Sequence, residues 1–262
     1  VEPPGQGWVS LSIYRQAGSS AFDREGRRSD FENEGRLDAL STFATVAVGA
    51  LPGTDVWVQV PLHRIRFDDA GGERRSFGVG DLRLHARLAP LRALGVSLPL
   101  AVRGGVKLPA GRFPDDIEVV PLGDGQRDWE LLGEAGVSWT EPAQLYLMVW
   151  GGHRWREENT RRRRQFGNER LALAALGGEV GAVGFKLQGE GSWGGPPLLE
   201  GLRLPSARRS LVQLQGTVSG PAGAGRWEAG VRVPVAGRNL PAEPALMVGY
   251  FGRVDLRGLG RR

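Results

Sequence analysis

Apolar and polar residues alternate along most of this chain, in about a dozen short segments separated by turn-forming and charged stretches. The clearest segment is Trp129 to Trp139. Trp129, Leu131, Gly133, Ala135, Val137 and Trp139 share one face, and Glu130, Glu134 and Ser138 lie on the other with Leu132 and Gly136. A period of two is that of a β-strand, and apolar-out, polar-in rows of this length mark a transmembrane barrel. A strand that rises ~3.3 Å per residue and tilts about 45° holds these two tryptophans roughly 23 Å apart along the membrane normal. That matches an apolar band about 25 Å tall with an aromatic girdle at each rim.

Parity and turn residues predict strands over Trp8 to Arg15, Leu37 to Ala50, Val56 to Arg66, Val79 to Leu88, Val96 to Leu108 and Trp129 to Trp139. Six more follow over Leu145 to Trp155, Glu169 to Gly178, Val183 to Trp193, Arg208 to Val218, Arg226 to Ala236 and Ala245 to Leu256. Leu82, Leu84, Val137, Val149, Val231 and Val248 are expected to face lipid, and Arg83, Glu130, Glu134 and Arg232 the lumen. Connections after the odd-numbered strands read as longer and more charged, with Asp68 to Ser76 one of them; those after the even-numbered strands are short and rich in Gly and Pro. Short periplasmic turns and longer extracellular loops give this asymmetry when both termini are periplasmic. The expected fold is all-β: residues 1–262 as one antiparallel transmembrane β-barrel of about twelve strands, without a separate plug.

Composition narrows the class. No run of eighteen apolar residues occurs, which excludes a helical membrane protein. The absence of cysteine removes disulfides and thiolate metal sites, and fits an oxidising envelope compartment. Val1-Glu2-Pro3-Pro4 shows no charged or apolar leader, so the expectation is an outer-membrane protein of a diderm bacterium with its signal peptide already removed. The net charge of +5 is almost all arginine, scattered instead of gathered on one aromatic-laced basic face, which argues against nucleic acid. The dense patch Arg161, Arg162, Arg163 and Arg164 reads either as a solvated loop or as a loop surface for lipopolysaccharide phosphates or an acidic partner.

The inward rows carry the candidate chemistry. By parity they hold Asp81, Arg83, His85, Arg87, Arg103, Lys107, Asp128, Glu130, Glu134, Lys186, Glu190, Arg209, Glu228, Arg232, Arg253 and Asp255. Both signs occur on neighbouring strands, so the charges pair and brace the wall or set the selectivity of a pore. The basic row Arg83, Arg87, Arg103 and Lys107 is expected to meet the acids Glu130 and Glu134. Twelve tilted strands enclose a backbone radius of roughly 12 Å, and inward side chains consume much of it. Tyr146, Met148 and Trp150 also point inward, as an aromatic patch for a small hydrophobic solute or as filler beside a constriction. His63, His85 and His153 lie on different strands without metal-ligand spacing, and no serine stands within a few positions of any of them; neither a metal site, a cofactor nor an enzyme is expected. Asp115-Asp116 and the stretch Asp124 to Asp128 miss the EF-hand spacing and read as solvated loop carboxylates.

Three segments together resemble the outer-membrane transporter family named for the meta-pathway of phenol degradation, distantly akin to hydrophobic-solute channels. They are Gly78-Val79-Gly80-Asp81-Leu82-Arg83-Leu84 with Arg87, the corner Gly105-Val106-Lys107-Leu108-Pro109-Ala110-Gly111, and Pro121-Leu122-Gly123-Asp124-Gly125-Gln126 leading to Trp129. Ala110 and Asp124 stand where that family carries threonine. The resemblance covers the central third of the chain and implies an outer-membrane barrel that passes small hydrophobic or aromatic molecules. The expected function is therefore a passive channel, whose partners are outer-membrane lipid, lipopolysaccharide and a small-molecule solute. The alternative is a structural barrel that anchors a multiprotein envelope assembly through its loops.

Overall fold

The computed structural model describes residues 1–96, 98–113, 120–141 and 143–257. Twelve strands form one closed antiparallel barrel: β1 (Gln6–Gly18), β2 (Arg36–Leu51), β3 (Thr54–Asp69), β4 (in two halves, Gly72–Val79 and Leu82–Leu88), β5 (Leu100–Leu108) and β6 (Asp128–Trp139). They continue as β7 (Gln144–Arg156), β8 (Glu169–Val180), β9 (Val183–Gly194), β10 (Ser210–Ala222), β11 (Gly225–Arg238) and β12 (Ala245–Asp255). Each strand pairs with its sequence neighbour, and β1 pairs with β12 from Gln6↔Asp255 to Gln16↔Ala245, which closes the wall and leaves no open edge.

The barrel wears its apolar residues outside. One stripe runs around the wall through paired positions, Val9↔Val46, Val46↔Val58, Val58↔Leu84, Leu84↔Val106 and Val106↔Trp129. Trp129 and Trp155 pair at one rim, and Trp227 and Tyr250 at the other, all four facing outward. Leu84, Val137, Val149, Val231 and Val248 are exposed on the same surface. By contrast, the largest fully buried side chains are Leu132, Asp55 and Asp128. A water-soluble fold does not bury acids and expose valine rows; a wall solvated by lipid on one side and lined by paired charges on the other does.

Two expectations about the connections are corrected. Asp68 to Ser76 is not a loop: β3 runs to Asp69, the turn is Ala70–Gly71, and the ladder continues from Asp69↔Gly72 to Leu62↔Val79. Arg66 and Glu73 pair across this hairpin at 2.6 Å. Its residues look loop-like because a hairpin with both faces in water needs no apolar row. In the other correction, β5 begins at Leu100 instead of Val96, after a helical turn at Pro90–Ala93. Pro99 has no N–H to give the ladder, which sets that boundary. The β8–β9 hairpin turns at Gly181, whose φ of +61° suits glycine.

Within β4 the parity shifts by one at Gly80–Asp81: Val79 faces Leu62, whereas Arg83 faces Gln59, so four residues span three. This bulge turns Asp81 toward the connection between β5 and β6. The carboxylate accepts from the amides of Gly111 (3.1 Å) and Asp124 (2.9 Å), and Leu122 beside it is buried. The β5–β6 connection is thereby folded onto the long-loop end of the barrel. Asp115 and Asp116 of that connection lie outside the described residues.

Candidate functional site

The lumen has two unlike walls. Strands β3 to β8, with Asp124 from the β5–β6 connection, carry the network of buried ion pairs, whereas β9 to β12 with β1 and β2 intersperse Lys186, Glu190, Glu228 and Arg232 among Ser, Thr, Gln and aromatic residues.

On the charged wall, the half nearer the termini is built around Asp55, which is completely buried. Arg87 holds it through Nε (3.2 Å) and Nη2 (2.6 Å), a two-pronged pairing in which the planar guanidinium matches the carboxylate. Glu134 stands 3.5 Å from Arg87 and 3.0 Å from Arg103. Both guanidiniums lie over the ring of Trp57, at 5.5 and 5.4 Å, and Arg103 also lies 5.0 Å from Trp150. The His85 ring stacks on Trp57 with centroids 5.1 Å apart. Gly105 makes room for it, since a Cβ there would meet His85 Nδ1 at 2.4 Å. Aromatic faces and guanidinium planes thus alternate along this wall, an arrangement favoured by the ring quadrupole.

The outer half is centred on Lys107, 5% exposed, whose ammonium meets Asp81 (3.0 Å), Asp124 (2.5 Å) and Asp128 (2.9 Å). Arg156 shares Asp124 (2.5 Å) and Asp128 (3.3 Å) and reaches Glu169 (3.1 Å); Arg154 joins Glu130 (2.6 Å) to Glu169 (2.5 Å). Asp124 and Asp128 are therefore not solvated loop carboxylates, as their sequence setting implied, because the folded-in connection delivers Asp124 to Lys107 and Arg156. Burial alone would raise the Asp124 carboxyl, but Arg156 and Lys107 outweigh it and hold it at about 2.

The sequence candidates are thus only partly brought together. Arg87 and Arg103 meet Glu134 as expected, whereas Glu130 goes to Arg154, and Lys107 meets three aspartates instead of Glu130 or Glu134. Arg83 is on the lumen row between them. Arg232 lies apart on the second wall, 4.2 Å from the Tyr14 ring and hydrogen-bonded to Gln215 at 2.9 Å. Tyr146 lies against Gly177 near the end of the barrel that holds the termini. Of the arginine patch, Arg164 turns back onto Phe166, with its guanidinium 4.2 Å from the ring. Asp55, Trp57, Arg154, Arg156 and Glu169 escape sequence reading, although their inward parity was available. The structure also brings Ser41 Oγ within 2.9 Å of His63 Nδ1 across the β2–β3 pair. No carboxylate hydrogen-bonds this histidine among the described residues, so the pair lacks the orienting third group of a hydrolytic triad.

Two cavities border lumen-facing side chains. One of about 550 Å³ is lined by Tyr146, Lys186, Thr217, Glu228 and Phe251. Another, about 460 Å³, lies against Arg87, Ala101, Glu134 and Met148. An apolar cavity of about 660 Å³ on the outward side, between Leu91, Leu100, Val102 and Val149, shares Leu100, Ala101, Glu134 and Ala135 with it, so the wall is thin where β5 is short.

No protein-family model matches the chain, and no curated protein matches it in sequence. Solved structures do match its shape. An outer membrane channel from Pseudomonas putida F1 superposes with a TM-score of 0.77 at 17% identity, covering 97% of both chains. The translocator domain of the autotransporter NalP from Neisseria meningitidis gives 0.56 at 12% identity, over 95% of this chain and 88% of that one. The β domain of the Bordetella autotransporter BrkA gives 0.52 at 12%, over 94% and 98%. At such identities the likeness is one of architecture, and the chain has the fold of the outer-membrane β-barrels.

Proposed function

We propose that this chain is a passive outer-membrane channel for small solutes with a hydrophobic or aromatic body, acting as a single barrel domain. The observation that carries the reading is the lumen itself. Around Asp55 and Glu134 the charges of one wall are neutralised in pairs and lie against the faces of Trp57 and Trp150, with His85 stacked on Trp57; a cavity of about 460 Å³ borders that wall, and one of about 550 Å³ lies where Tyr146 and Phe251 meet Lys186 and Glu228. Paired charges stiffen a wall without holding a permeant ion, and exposed ring faces offer weak, sequential contacts to a flat apolar solute, which conduction requires. The resemblance of the central segments to the phenol meta-pathway transporters supports the same solute class, and the barrel of Pseudomonas putida F1 is itself an outer membrane channel. Outer-membrane lipid surrounds the apolar belt, and lipopolysaccharide meets the arginine-bearing loops. Steady single-channel steps in planar bilayers, with flux of toluene or phenol into liposomes above that of protein-free vesicles, are the expected results. A silent barrel that gives no flux and instead co-purifies with envelope proteins would replace this reading with that of a structural anchor.

A further inference from the structure

At the outer end of the charged wall, three guanidiniums surround one buried ring. Arg156, Arg164 and Arg209 lie 4.7, 4.2 and 4.7 Å from the centroid of Phe166, which is 6% exposed. Their charges are not equally compensated. Arg156 is surrounded by Asp124, Asp128 and Glu169. Arg164 and Arg209 have no carboxylate within 4 Å among the described residues. Arg209 immediately precedes β10, in the register of the lumen row that continues through Leu211 and Gln213. Arg164 comes from the connection between β7 and β8 and reaches the same ring, so two unpaired cations from distant segments converge on the lumen side of the mouth.

Such convergence costs repulsion. Burial first, then the charges of Arg209 and Arg156, lower the proton affinity of Arg164, and burial and Arg156 lower that of Arg209; the more distant Asp124 opposes this at both and Glu169 at Arg209 without reversing it. The contact with Phe166 holds both guanidiniums in place but leaves their N–H donors without an acceptor from the ring, and neither side chain makes a hydrogen bond to a carboxylate among the described residues. A planar fork of donors held on a ring is suited to a carboxylate, which accepts two parallel hydrogen bonds.

We infer that Arg164 and Arg209, held on Phe166, form an anion subsite at the outer mouth that captures the carboxylate of a small organic acid. The assignment deepens the channel reading and rests on it: the solute class becomes aromatic or aliphatic carboxylates, whose apolar body then passes along Trp57 and Trp150. A lipopolysaccharide phosphate is the less suitable occupant, because Arg209 belongs to the lumen row and not to the lipid-facing one.

The test uses the full barrel in detergent and in planar bilayers, with benzoate as probe, benzyl alcohol as its uncharged counterpart and inorganic phosphate as the competing anion. Benzoate is expected to bind by calorimetry and to reduce the single-channel current when added on the loop side, with benzyl alcohol at least tenfold weaker. Arg164→Gln with Arg209→Gln is expected to weaken benzoate about tenfold or more, whereas the exposed neighbour Arg208→Gln leaves it unchanged. A heat-modifiable gel shift verifies that each variant is folded; if the double variant does not fold, Arg164→Lys and Arg209→Lys singly keep the charge, lose the fork, and are expected to weaken benzoate as well. Conducting wild-type barrels indifferent to benzoate overturn the subsite and leave the channel reading intact. Silent barrels that still bind benzoate through these arginines overturn the channel reading and leave the subsite. Equal binding of benzoate by wild type and the double variant, or binding of phosphate in preference to benzoate, overturns the assignment.

Discussion

Glu134→Gln isolates the electrical role of the lumen charges. Glu134 stands between Arg87 and Arg103, but the two arginines depend on it unequally. Arg87 keeps Asp55 at 2.6 Å, whereas Arg103 has no second carboxylate within 4 Å among the described residues. The substitution therefore leaves one positive charge uncompensated on the wall between Trp57 and Trp150. An ion that passes about 5 Å from it gains or loses about 0.8 kcal/mol in bulk-water dielectric, and more beside a low-dielectric wall. The anion gains what the cation loses, so the difference of about 1.7 kcal/mol raises the chloride-to-potassium permeability ratio roughly tenfold or more. The assay is the reversal potential of the purified barrel in a planar bilayer under a KCl gradient. At 0.1 M salt the Debye length of about 10 Å leaves the effect visible; at 1 M, about 3 Å suppresses it. Adding Glu130→Gln should contribute less, because Arg154 retains Glu169 at 2.5 Å. A folded variant whose reversal potential matches wild type at 0.1 M would show that ions do not pass this wall and that its charges serve only to brace it.

Other outcomes follow from the same geometry. Asp124, held at about 2 by Arg156 and Lys107, has a depressed folded-state value, so its contribution is complete above its unfolded value near 4 and is lost as pH falls through 2. Asp124→Asn should thus cost about 2 kcal/mol in urea unfolding at pH 7 and almost nothing at pH 2; an equal cost at both would refute the pairing. Gly105→Val should push the His85 ring off Trp57 and lower single-channel conductance, and unchanged conductance would place that stack away from the permeation path. Fluorophores at Leu84 or Val137 should be quenched by lipid-borne quenchers and those at Arg83 or Glu134 should not; the reverse pattern would invert the wall.

Alternation of side chains is a local property, and it determined much about this protein without any tertiary information. A period of two identifies strands, assigns Leu84 and Val137 to lipid and Arg83 and Glu134 to the lumen, and the number of segments sets a closed wall of twelve. It failed where the membrane no longer imposes the pattern, at the hairpin beyond Arg66 and at the bulge of Gly80–Asp81, because water on both faces or an inserted residue removes the alternation. Which charges meet was decided only by the folded chain. Asp55 and Arg87 are 32 positions apart, Ser41 and His63 are joined by register, and Asp124 reaches Lys107 because a connection folds back over the mouth. Ion pairing depends on strand register and loop placement, which are set by distant parts of the chain, so the sequence could name the lumen residues yet leave their partners, and the convergence of Arg164 and Arg209 on Phe166, to the tertiary structure.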